Sequence, residues 1–479
     1  MAPLLPRFIA IESVNMMGYL SYIREGGDAD GYLIFMEPQV TSPFAKFEVE
    51  SSDSDTEGLT VHVRSCRNNM YWQRTHLNAV HCGHWIITKS KNKEENKSKD
   101  LCTLFKFIPV DPANNKFRIM HVQSGCYLSS LPAMEDPKFD HGLLAHHKEF
   151  DYQSADVFTV VDWSLLLILP RHVAFWGPNN KYLCVKDDSM PFFIKDDIGE
   201  ETVACEILPT NDGRIRIKSC RTGKFFRCVN SGWMWIRADD TSTDNVDTFF
   251  RAVKYDDQKI ALINLGNNKF CKWFTVGGYL HGFAANVNSA TAETLIKLEE
   301  PVLTREIYDF KYDLHNSRVY GESVLVVAQN SATNFSDNPS AVDVKLGYKD
   351  TRSSCWNTDI SLKLDMKINM SFDIPVIFEG KVILSSEFRS GVEWGKVFET
   401  TTNLEVVHSV VVPPMSEVTV NLVATKSLCD VPFSYKKRDV LYDGSSVVSA
   451  VQGCTYYGSN YHSMKFEVRV QNLHPWSKK

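Results

Sequence analysis

An internal repeat limits the folds open to this 479-residue chain more strongly than its overall composition does. Residues 61–74 read VHVRSCRNNMYWQR and residues 215–228 read IRIKSCRTGKFFRC, so that alternation, a Ser-Cys-Arg run, a turn and an aromatic pair recur in the same order. The Ser-Cys-Arg run begins at Ser65 in the first segment and at Ser219 in the second, and these two positions are 154 apart. A repeat at this distance predicts two homologous domains of about 150 residues each.

Each of the two copies contains a shorter threefold repeat. Short segments that begin with an aromatic residue after an Asn, Gly or Ser turn occur at Tyr32, Tyr71 and Tyr127, and again at Tyr182, Phe225 and Phe270. The stretches before them alternate around Asp or Asn turns, which is typical of β-hairpins. Three all-β units of about 45 residues predict a β-trefoil in each copy and exclude a four-bladed propeller. Aromatic residues repeated in this way mostly fill a shared core.

Composition excludes several function classes. The 52 Lys and Arg residues against 58 Asp and Glu give a net charge of -6, so no basic excess is available to neutralise a nucleic acid. No apolar run approaches the ~20 residues of a membrane helix. Residues 1–15 lack a basic segment followed by an apolar one, which predicts a cytoplasmic or nucleocytoplasmic protein without a signal peptide.

The segment that follows the first Ser-Cys-Arg run carries more aromatic and polar side chains than a core needs. Flat aromatic faces accept the apolar side of a sugar ring, while amides, guanidinium and imidazole groups satisfy its hydroxyls. We therefore predict a shallow carbohydrate site, with an echo in the second copy. The candidate residues are Asn69, Tyr71, Trp72, Arg74, His84 and Trp85 in the first copy and Phe226, Trp233 and Trp235 in the second, where the two tryptophans are spaced to share one strand face.

Metal binding and catalysis find less support in the same region. Cys66, His81, Cys82 and His84 are possible ligands, but their spacing fits no closed zinc motif. No nucleophile elbow, HExxH motif or phosphate loop is present. We predict no metal, no cofactor and no enzymatic activity. A glycan-processing enzyme is the remote alternative, since no pair of carboxylates stands out as acid and nucleophile.

At these residues the sequence resembles the amaranthin-like agglutinins, plant lectins built from two tandem β-trefoils. The resemblance covers residues 1 to about 300 and rests on the repeated Ser-Cys-Arg and Tyr-Trp block and the His/Trp segment after it. It implies binding of galactose and N-acetylgalactosamine glycans of the T-antigen type, at a junction between two subunits of a homodimer. Met70 stands where the family often has Lys, and Phe226 stands in place of a Trp.

The last third of the chain has a different pattern. Residues 360–373 alternate strictly between apolar and polar, and residues 342–349 alternate before them. A strand of fourteen residues exceeds the ordinary five or six, and two such strands joined through the polar residues 350–358 would form an amphipathic hairpin. A sheet with one solvated face gives the same alternation. The apolar side of the hairpin consists of Val342, Val344, Leu346, Tyr348, Ile360, Leu362, Leu364 and Met366.

Several segments in fixed order, among them 372–388, 405–412 and 418–433, resemble the aerolysin-type pore-forming module over about residues 301–479. The resemblance implies elongated strands that assemble by oligomerisation, with a hairpin from each subunit forming a transmembrane β-barrel. We place that hairpin at 342–349 and 358–367.

Together these patterns predict an all-β chain with a first agglutinin β-trefoil at 1–160, a second at 161–300 and an elongated aerolysin-like β-sheet domain at 301–479. The expected function is that of a plant defence lectin whose glycan binding brings a pore-forming module to membranes. Expected partners are glycans or glycoconjugates, a second copy in solution and a larger homo-oligomer on membranes, but no nucleic acid. The alternative is a lectin or scaffold whose last domain only mediates oligomerisation.

Overall fold

β-strands make up nearly all of the regular structure of this chain. The structure is a computed structural model, and it describes residues 5–16, 18–24, 26–55, 60–75, 84–131, 137–150, 155–256, 258–358, 367–368, 372–389 and 392–473. These residues form 34 strands and six three-residue 3-10 helices, which confirms the expected all-β class. Within the same residues no helix is long and apolar enough to cross a bilayer.

The first twelve strands form a closed barrel with three hairpins. Their bounds are β1 Phe8–Ser13, β2 Tyr19–Tyr22, β3 Leu33–Glu37, β4 Phe47–Ser51, β5 Thr60–Ser65, β6 Tyr71–Arg74, β7 Ile86–Ser90, β8 Phe105–Asp111, β9 Lys116–His121, β10 Cys126–Ser130, β11 Leu143–His147 and β12 Phe158–Asp162. Antiparallel pairing runs from β1 through β4, β5, β8, β9 and β12 and returns to β1. The hairpins β2–β3, β6–β7 and β10–β11 cap this barrel. A six-stranded barrel with three hairpins is a β-trefoil.

The next twelve strands repeat the arrangement. Their bounds are β13 His172–Trp176, β14 Tyr182–Val185, β15 Pro191–Lys195, β16 Cys205–Pro209, β17 Ile215–Ser219, β18 Phe225–Cys228, β19 Ile236–Asp240, β20 Phe249–Lys254, β21 Lys259–Asn264, β22 Lys269–Val276, β23 Tyr279–Val287 and β24 Ile296–Glu299. The barrel closes through β13, β16, β17, β20, β21 and β24, and β14–β15, β18–β19 and β22–β23 are its hairpins. The prediction of two tandem trefoils is confirmed by this pairing.

The threefold repeat is visible in the register of the hairpins. Each one shifts register directly after its leading aromatic residue, and the six shifts lie at Tyr19/Leu20, Tyr71/Trp72, Tyr127/Leu128, Tyr182/Leu183, Phe225/Phe226 and Phe270/Cys271. The first repeat therefore begins with Tyr19, and the sequence prediction of Tyr32 was wrong. Tyr32 lies before β3, in the cluster with Trp85 and Phe139 where the three hairpins meet.

The residue after each leading aromatic fills the core of its own barrel. Leu20, Trp72 and Leu128 lie in the first core, and Leu183, Phe226 and Cys271 in the second. Trp72 packs edge to face between Phe47 and Phe105, with ring centroids 5.2 and 5.6 Å away. Such pairs add about 0.5–1.5 kcal/mol each to the free energy of burial.

Compactness separates the chain into two units. Among the described residues, the first unit contains both trefoils, up to residue 308, with residues 436–453, and the second contains those from 309 to 358, from 367 to 435 and from 454 to 473. Within the first unit the trefoils touch directly, since the Val40 N–H donates to the Asn211 carbonyl at 2.8 Å. The first trefoil ends with β12 at Asp162 and the second begins with β13 at His172.

Ten strands remain in the described part of the chain, and six of them are longer than any strand of the trefoils, at 11 to 27 residues. Their bounds are β25 Val302–Tyr312, β26 Arg318–Asn334, β27 Ser340–Asn357, β28 Lys367–Ile368, β29 Phe372–Phe378, β30 Lys381–Arg389, β31 Val392–Glu393, β32 Val397–Val412, β33 Ser416–Leu441 and β34 Ser446–Asn472. Six of them form a sheet in the order β25-β33-β34-β27-β32, with β26 paired to β33, while β29 and β30 form a separate hairpin.

The predicted hairpin at 342–349 and 358–367 is not what β27 forms. β27 pairs with β32 without interruption from Ser340 opposite Val412 to Cys355 opposite Val397, so residues 350–357 continue the strand instead of turning. Val344, Leu346 and Tyr348 are buried against apolar residues of β32 and β33, and Val342 packs beside them, partly buried. Alternation alone does not distinguish a lipid-facing strand from one whose apolar face packs on other strands of its own domain, and here the second case holds. The other four predicted hairpin residues, Ile360, Leu362, Leu364 and Met366, lie outside the described residues.

Candidate functional site

Three of the predicted sugar-binding aromatics in the first trefoil are core residues. Tyr71, Trp72 and Trp85 are at most 1% exposed. The Tyr71 hydroxyl donates to the Glu50 carboxylate at 3.0 Å, and Trp85 lies between Tyr32 and Phe139. A ring whose faces are covered offers nothing to a ligand, so the role predicted for these three residues is corrected to packing.

The polar residues predicted beside them form hydrogen bonds within the same trefoil. Asn69 adopts a left-handed backbone conformation with φ of 57° and accepts a hydrogen bond from the buried Arg64. Arg74 is also buried, and it donates to the Ala145 carbonyl at 2.9 Å and contacts His84 Nδ1 at 2.5 Å. Of this group only His84 is partly exposed. The first trefoil therefore brings the predicted residues together inside the domain instead of on a binding surface.

The second trefoil places its two predicted tryptophans differently. Phe226 is fully buried in the core, but Trp233 is 53% exposed and Trp235 is partly exposed. Both indoles contact the Phe274 ring, at centroid distances of 5.8 and 5.7 Å, but they lie in the loop before β19 and not on one strand face as predicted. Trp235 also contacts Tyr279 at 5.5 Å.

We call these four side chains, Trp233, Trp235, Phe274 and Tyr279, the aromatic patch. The patch joins the tips of two hairpins, since the tryptophans lie in the loop between β18 and β19 and the other two rings lie on β22 and β23. Phe274 and Tyr279 were missed by the sequence reasoning. A signal for them exists, because Gly277 and Gly278 between two aromatic stretches mark a hairpin tip, and both have positive φ in the structure.

Polar side chains surround the patch and fix its backbone. Lys272 Nζ lies 4.5 Å from the centroid of the Phe274 ring, and the Asn286 amide donates to the Trp233 carbonyl at 3.3 Å. Next to them the Trp273 indole N–H donates to His281 Nδ1 at 3.2 Å, and the two rings stack nearly parallel. Flat rings with an ammonium group beside them suit a ligand with both apolar and hydroxyl-bearing faces.

A glycine lies beneath one tryptophan in each trefoil, Trp85 in the first and Trp235 in the second, and fixes the position of the indole. A Cβ on Gly282 would lie 2.5 Å from Trp235 Cζ3, and a Cβ on Gly142 would collide with Trp85 in the same way. The strand pairing matches as well, since Trp85 bridges to Leu144 and Trp235 to Ala284. The two positions are equivalent. Only the neighbours differ, because hairpin residues cover Trp85 and leave Trp235 open at one side.

No metal centre competes with this site in the described part of the chain, where no three His, Cys, Asp or Glu side chains come close enough to hold an ion. The possible ligands His81 and Cys82 lie outside the described residues.

The second unit carries a different exposed feature, the hairpin β29–β30. It turns through Glu379 and Gly380, which both have positive φ, as a two-residue hairpin turn requires. Phe378, Ile383 and Leu384 on it are 57%, 43% and 40% exposed. These three residues were not among those predicted to meet a membrane.

Comparison with known proteins identifies part of the chain. Residues 4–162 and 168–297, more than half of the sequence, match the agglutinin domain family. No curated protein matches the sequence.

Solved structures with similar chains were found at low TM-scores. A lamprey immune protein is 15% identical, with a TM-score of 0.28 over 63% of this chain and 88% of that one. The BEL β-trefoil is 11% identical, with a TM-score of 0.25 over 29% and 99%. An aerolysin-like protein from Bombina maxima is 12% identical, with a TM-score of 0.23 over 34% and 97%. At these scores the fold is assigned from strand pairing alone.

Proposed function

This chain belongs to the agglutinin domain family, and on that basis we propose that it is a lectin that binds galactose or N-acetylgalactosamine glycans through the aromatic patch of its second trefoil. The observation that carries the proposal is the exposure of Trp233 beside Trp235, Phe274 and Tyr279. An apolar surface of this kind on a folded domain marks a binding site more often than it marks chance.

The patch supports a sugar better than it supports a protein partner or a substrate to be cleaved. Its aromatic rings provide flat faces for the apolar side of a pyranose, and Lys272 lies close enough to the Phe274 ring to reach hydroxyls. The patch itself contains no carboxylate, whereas glycoside hydrolysis uses a pair of them. Binding without chemistry is therefore the function we propose for this surface.

Glycan array binding of the full chain tests this part of the proposal. The variants Trp233→Ala and Tyr279→Ala remove exposed rings without opening a core, so we expect both to fold and to lose at least tenfold in binding. Tyr255→Ala is the matched control, because Tyr255 is a 64% exposed aromatic residue of the same trefoil outside the patch. Equal binding by the native chain and by Trp233→Ala would contradict the site assignment.

We further propose that glycan binding brings the second unit to a membrane, where several copies assemble into a pore. The exposed apolar hairpin β29–β30 supports this, and so do strands much longer than a compact domain needs. A homodimer in solution, a cytoplasmic or nucleocytoplasmic location and a role in plant defence complete the proposal. The packing of the β27 apolar face inside the unit favours the second candidate, in which this unit only holds copies together.

Dye release from liposomes separates the two candidates. The liposomes carry whichever glycolipid the array identifies, and binding is measured in the same samples. Pore formation predicts leakage by the native chain and its loss in Phe378→Asp, which places a charge at the exposed hairpin tip and leaves glycan binding unchanged. Saturated binding without leakage by the native chain would refute the pore and leave the oligomerisation role.

A further inference from the structure

The second unit contains a cleft of about 200 Å3 that none of the functions above uses. It lies between the inward face of β27, the adjoining part of β32 and the hairpin strand β29, with β34 at its end. Its walls differ in character. β27 and β32 contribute Asp350, Arg352 and Thr402, whereas β29 contributes the apolar Pro375 and Val376.

The charged residues interrupt an otherwise apolar strand face. Val344, Leu346 and Tyr348 precede them on the inward face of β27, and Trp356 follows, all buried. Asp350 is only 6% exposed. Placing a carboxylate there costs free energy unless it is paired and hydrogen-bonded, so packing alone gives no reason for an acidic residue at this position.

The pairing of Asp350 is incomplete. Its Oδ2 accepts a hydrogen bond from Arg352 Nε at 3.1 Å. Its Oδ1 is buried and has no hydrogen-bond partner among the described residues. An unmade hydrogen bond to a buried polar atom costs about 1–3 kcal/mol, and more for a charged group. A ligand hydroxyl in the cleft would remove this cost.

The lining chemistry restricts the ligand. An anion would meet the Asp350 carboxylate, and a bare cation would meet the Arg352 guanidinium beside it, so a neutral molecule is favoured. The Thr402 hydroxyl supplies a further donor and acceptor on the polar side, and the Tyr456 hydroxyl, which donates to the Pro375 carbonyl, can still accept. The opposite wall of Pro375 and Val376 accepts an apolar face. The volume of about 200 Å3 exceeds the ~150 Å3 of an engineered cavity that binds benzene, so a single six-membered ring with substituents fits.

We propose that this cleft binds a neutral polyol the size of a single hexose, with one of its hydroxyls donating to Asp350 Oδ1. The ligand is either a free monosaccharide or the terminal sugar of a glycolipid. The site is separate from the aromatic patch and does not depend on it, because every group that forms it belongs to the second unit.

The test uses the full chain with two variants on one strand. Thr402→Trp fills the cleft, since Thr402 lies opposite Asp350 in the pairing of β27 and β32. Asn403→Trp is the matched control, because the next residue of a strand points to the other face. Both positions are exposed, so both variants are expected to fold. Asp350→Asn, checked by thermal melting, tests the carboxylate itself.

Titration calorimetry with free galactose gives the first readout, in the Trp233→Ala background so that the patch does not contribute. We expect one binding event, at least tenfold weaker with Thr402→Trp or Asp350→Asn and unchanged with Asn403→Trp. Liposomes that carry galactosylceramide give the second readout and identify the lipid source if only they bind. Absence of binding to both probes, or binding that Thr402→Trp leaves intact, would show that the cleft holds water only and would overturn the proposal. Either outcome is independent of the array result for the patch.

Discussion

Gly142 and Gly282 lie at equivalent positions beneath Trp85 and Trp235. Alanine at Gly142 is predicted to lower stability, whereas alanine at Gly282 is predicted to lower glycan binding. A Cβ on Gly142 would lie 2.9 Å from Trp85 Cη2 and closer still to Cζ3, while a Cβ on Gly282 would lie 2.5 Å from Trp235 Cζ3. Ordinary contacts of a Cβ lie between 3.4 and 4 Å, so in both variants the indole must move. Whether it can move decides the outcome.

Gly142→Ala is predicted to destabilise the first trefoil. Trp85 is fully buried, and the rings of Tyr32 and Phe139 lie 5.6 and 5.3 Å from it, so the indole has nowhere to go. Overpacking a core costs about 1–3 kcal/mol. For a domain of about 150 residues, at ~2–4 °C per kcal/mol, that corresponds to a decrease in melting temperature of about 2–12 °C. Glycan binding by the second trefoil should not change.

Gly282→Ala is predicted to weaken binding with little loss of stability. Trp235 is partly exposed, so its ring can swing toward solvent, and we expect a smaller loss of stability than for Gly142→Ala. The movement takes the ring away from Phe274 and Tyr279. Loss of one aromatic contact worth about 0.5–1.5 kcal/mol lowers glycan affinity by roughly two- to tenfold.

Calorimetric melting and glycan binding of both variants, measured on the same preparations, check the pair of predictions. Equal losses of melting temperature would show that the Trp235 indole has as little room to move as the Trp85 indole. Full binding by Gly282→Ala would show that the position of Trp235 does not matter for the ligand. Either result would refute the reasoning.

Two further predictions concern the first trefoil. Trp72→Ala should lower the free energy of unfolding by about 3–5 kcal/mol, because a fully buried indole is removed from the core, and Trp72→Phe should lower it less. Urea unfolding followed by circular dichroism measures both variants. A loss under about 1 kcal/mol for Trp72→Ala would contradict the core role. Burial acts to raise the pKa of Glu95, but hydrogen bonds from the Asp53 N–H and from His62 outweigh it and hold the pKa at about 2, against 4.5 when unperturbed. The lowered pKa contributes stability above pH 4.5 that is lost as the pH falls toward 2. Glu95→Gln should therefore be less stable than the native chain by about 1–2 kcal/mol at pH 7, allowing for partial exposure, and a difference that persisted at pH 2 would argue against this account.

The architecture could be predicted from the sequence because each trefoil repeat produces a similar residue pattern at a regular interval. The Ser65 and Ser219 blocks and the recurring aromatic pairs reflect one structural unit used six times, and each unit must place an apolar residue in the same core. Tyr32 was misassigned because it too is an aromatic residue after a glycine, and only the register shift at Tyr19 distinguishes the two. That shift depends on how two strands pair, so it cannot be predicted from the sequence of one strand.

The candidate site was less accessible for a physical reason. Trp85 and Trp235 have the same local sequence role and the same glycine beneath them, so nothing near them predicts which is buried. The difference comes from residues distant in sequence, among them Phe139 over the first indole and Phe274 beside the second. Long-range packing determines exposure, whereas alternation records only which side of a strand a residue occupies.

The energetics of the hairpin β29–β30 explain why assembly should precede insertion in the proposed mechanism. Burying Phe378, Ile383 and Leu384, each about half exposed, in lipid gains about 2–4 kcal/mol at ~1.5–3 kcal/mol per fully transferred side chain. Release of the hairpin breaks hydrogen bonds of the described residues, among them two between the Asn460 amide and the Ile377 backbone and one from the Tyr456 hydroxyl to a backbone carbonyl, and these three are worth together about 3 kcal/mol. One copy is thus near balance between the docked and the inserted hairpin. Only copies already gathered by glycans, whose strands can pair with one another, shift that balance toward insertion.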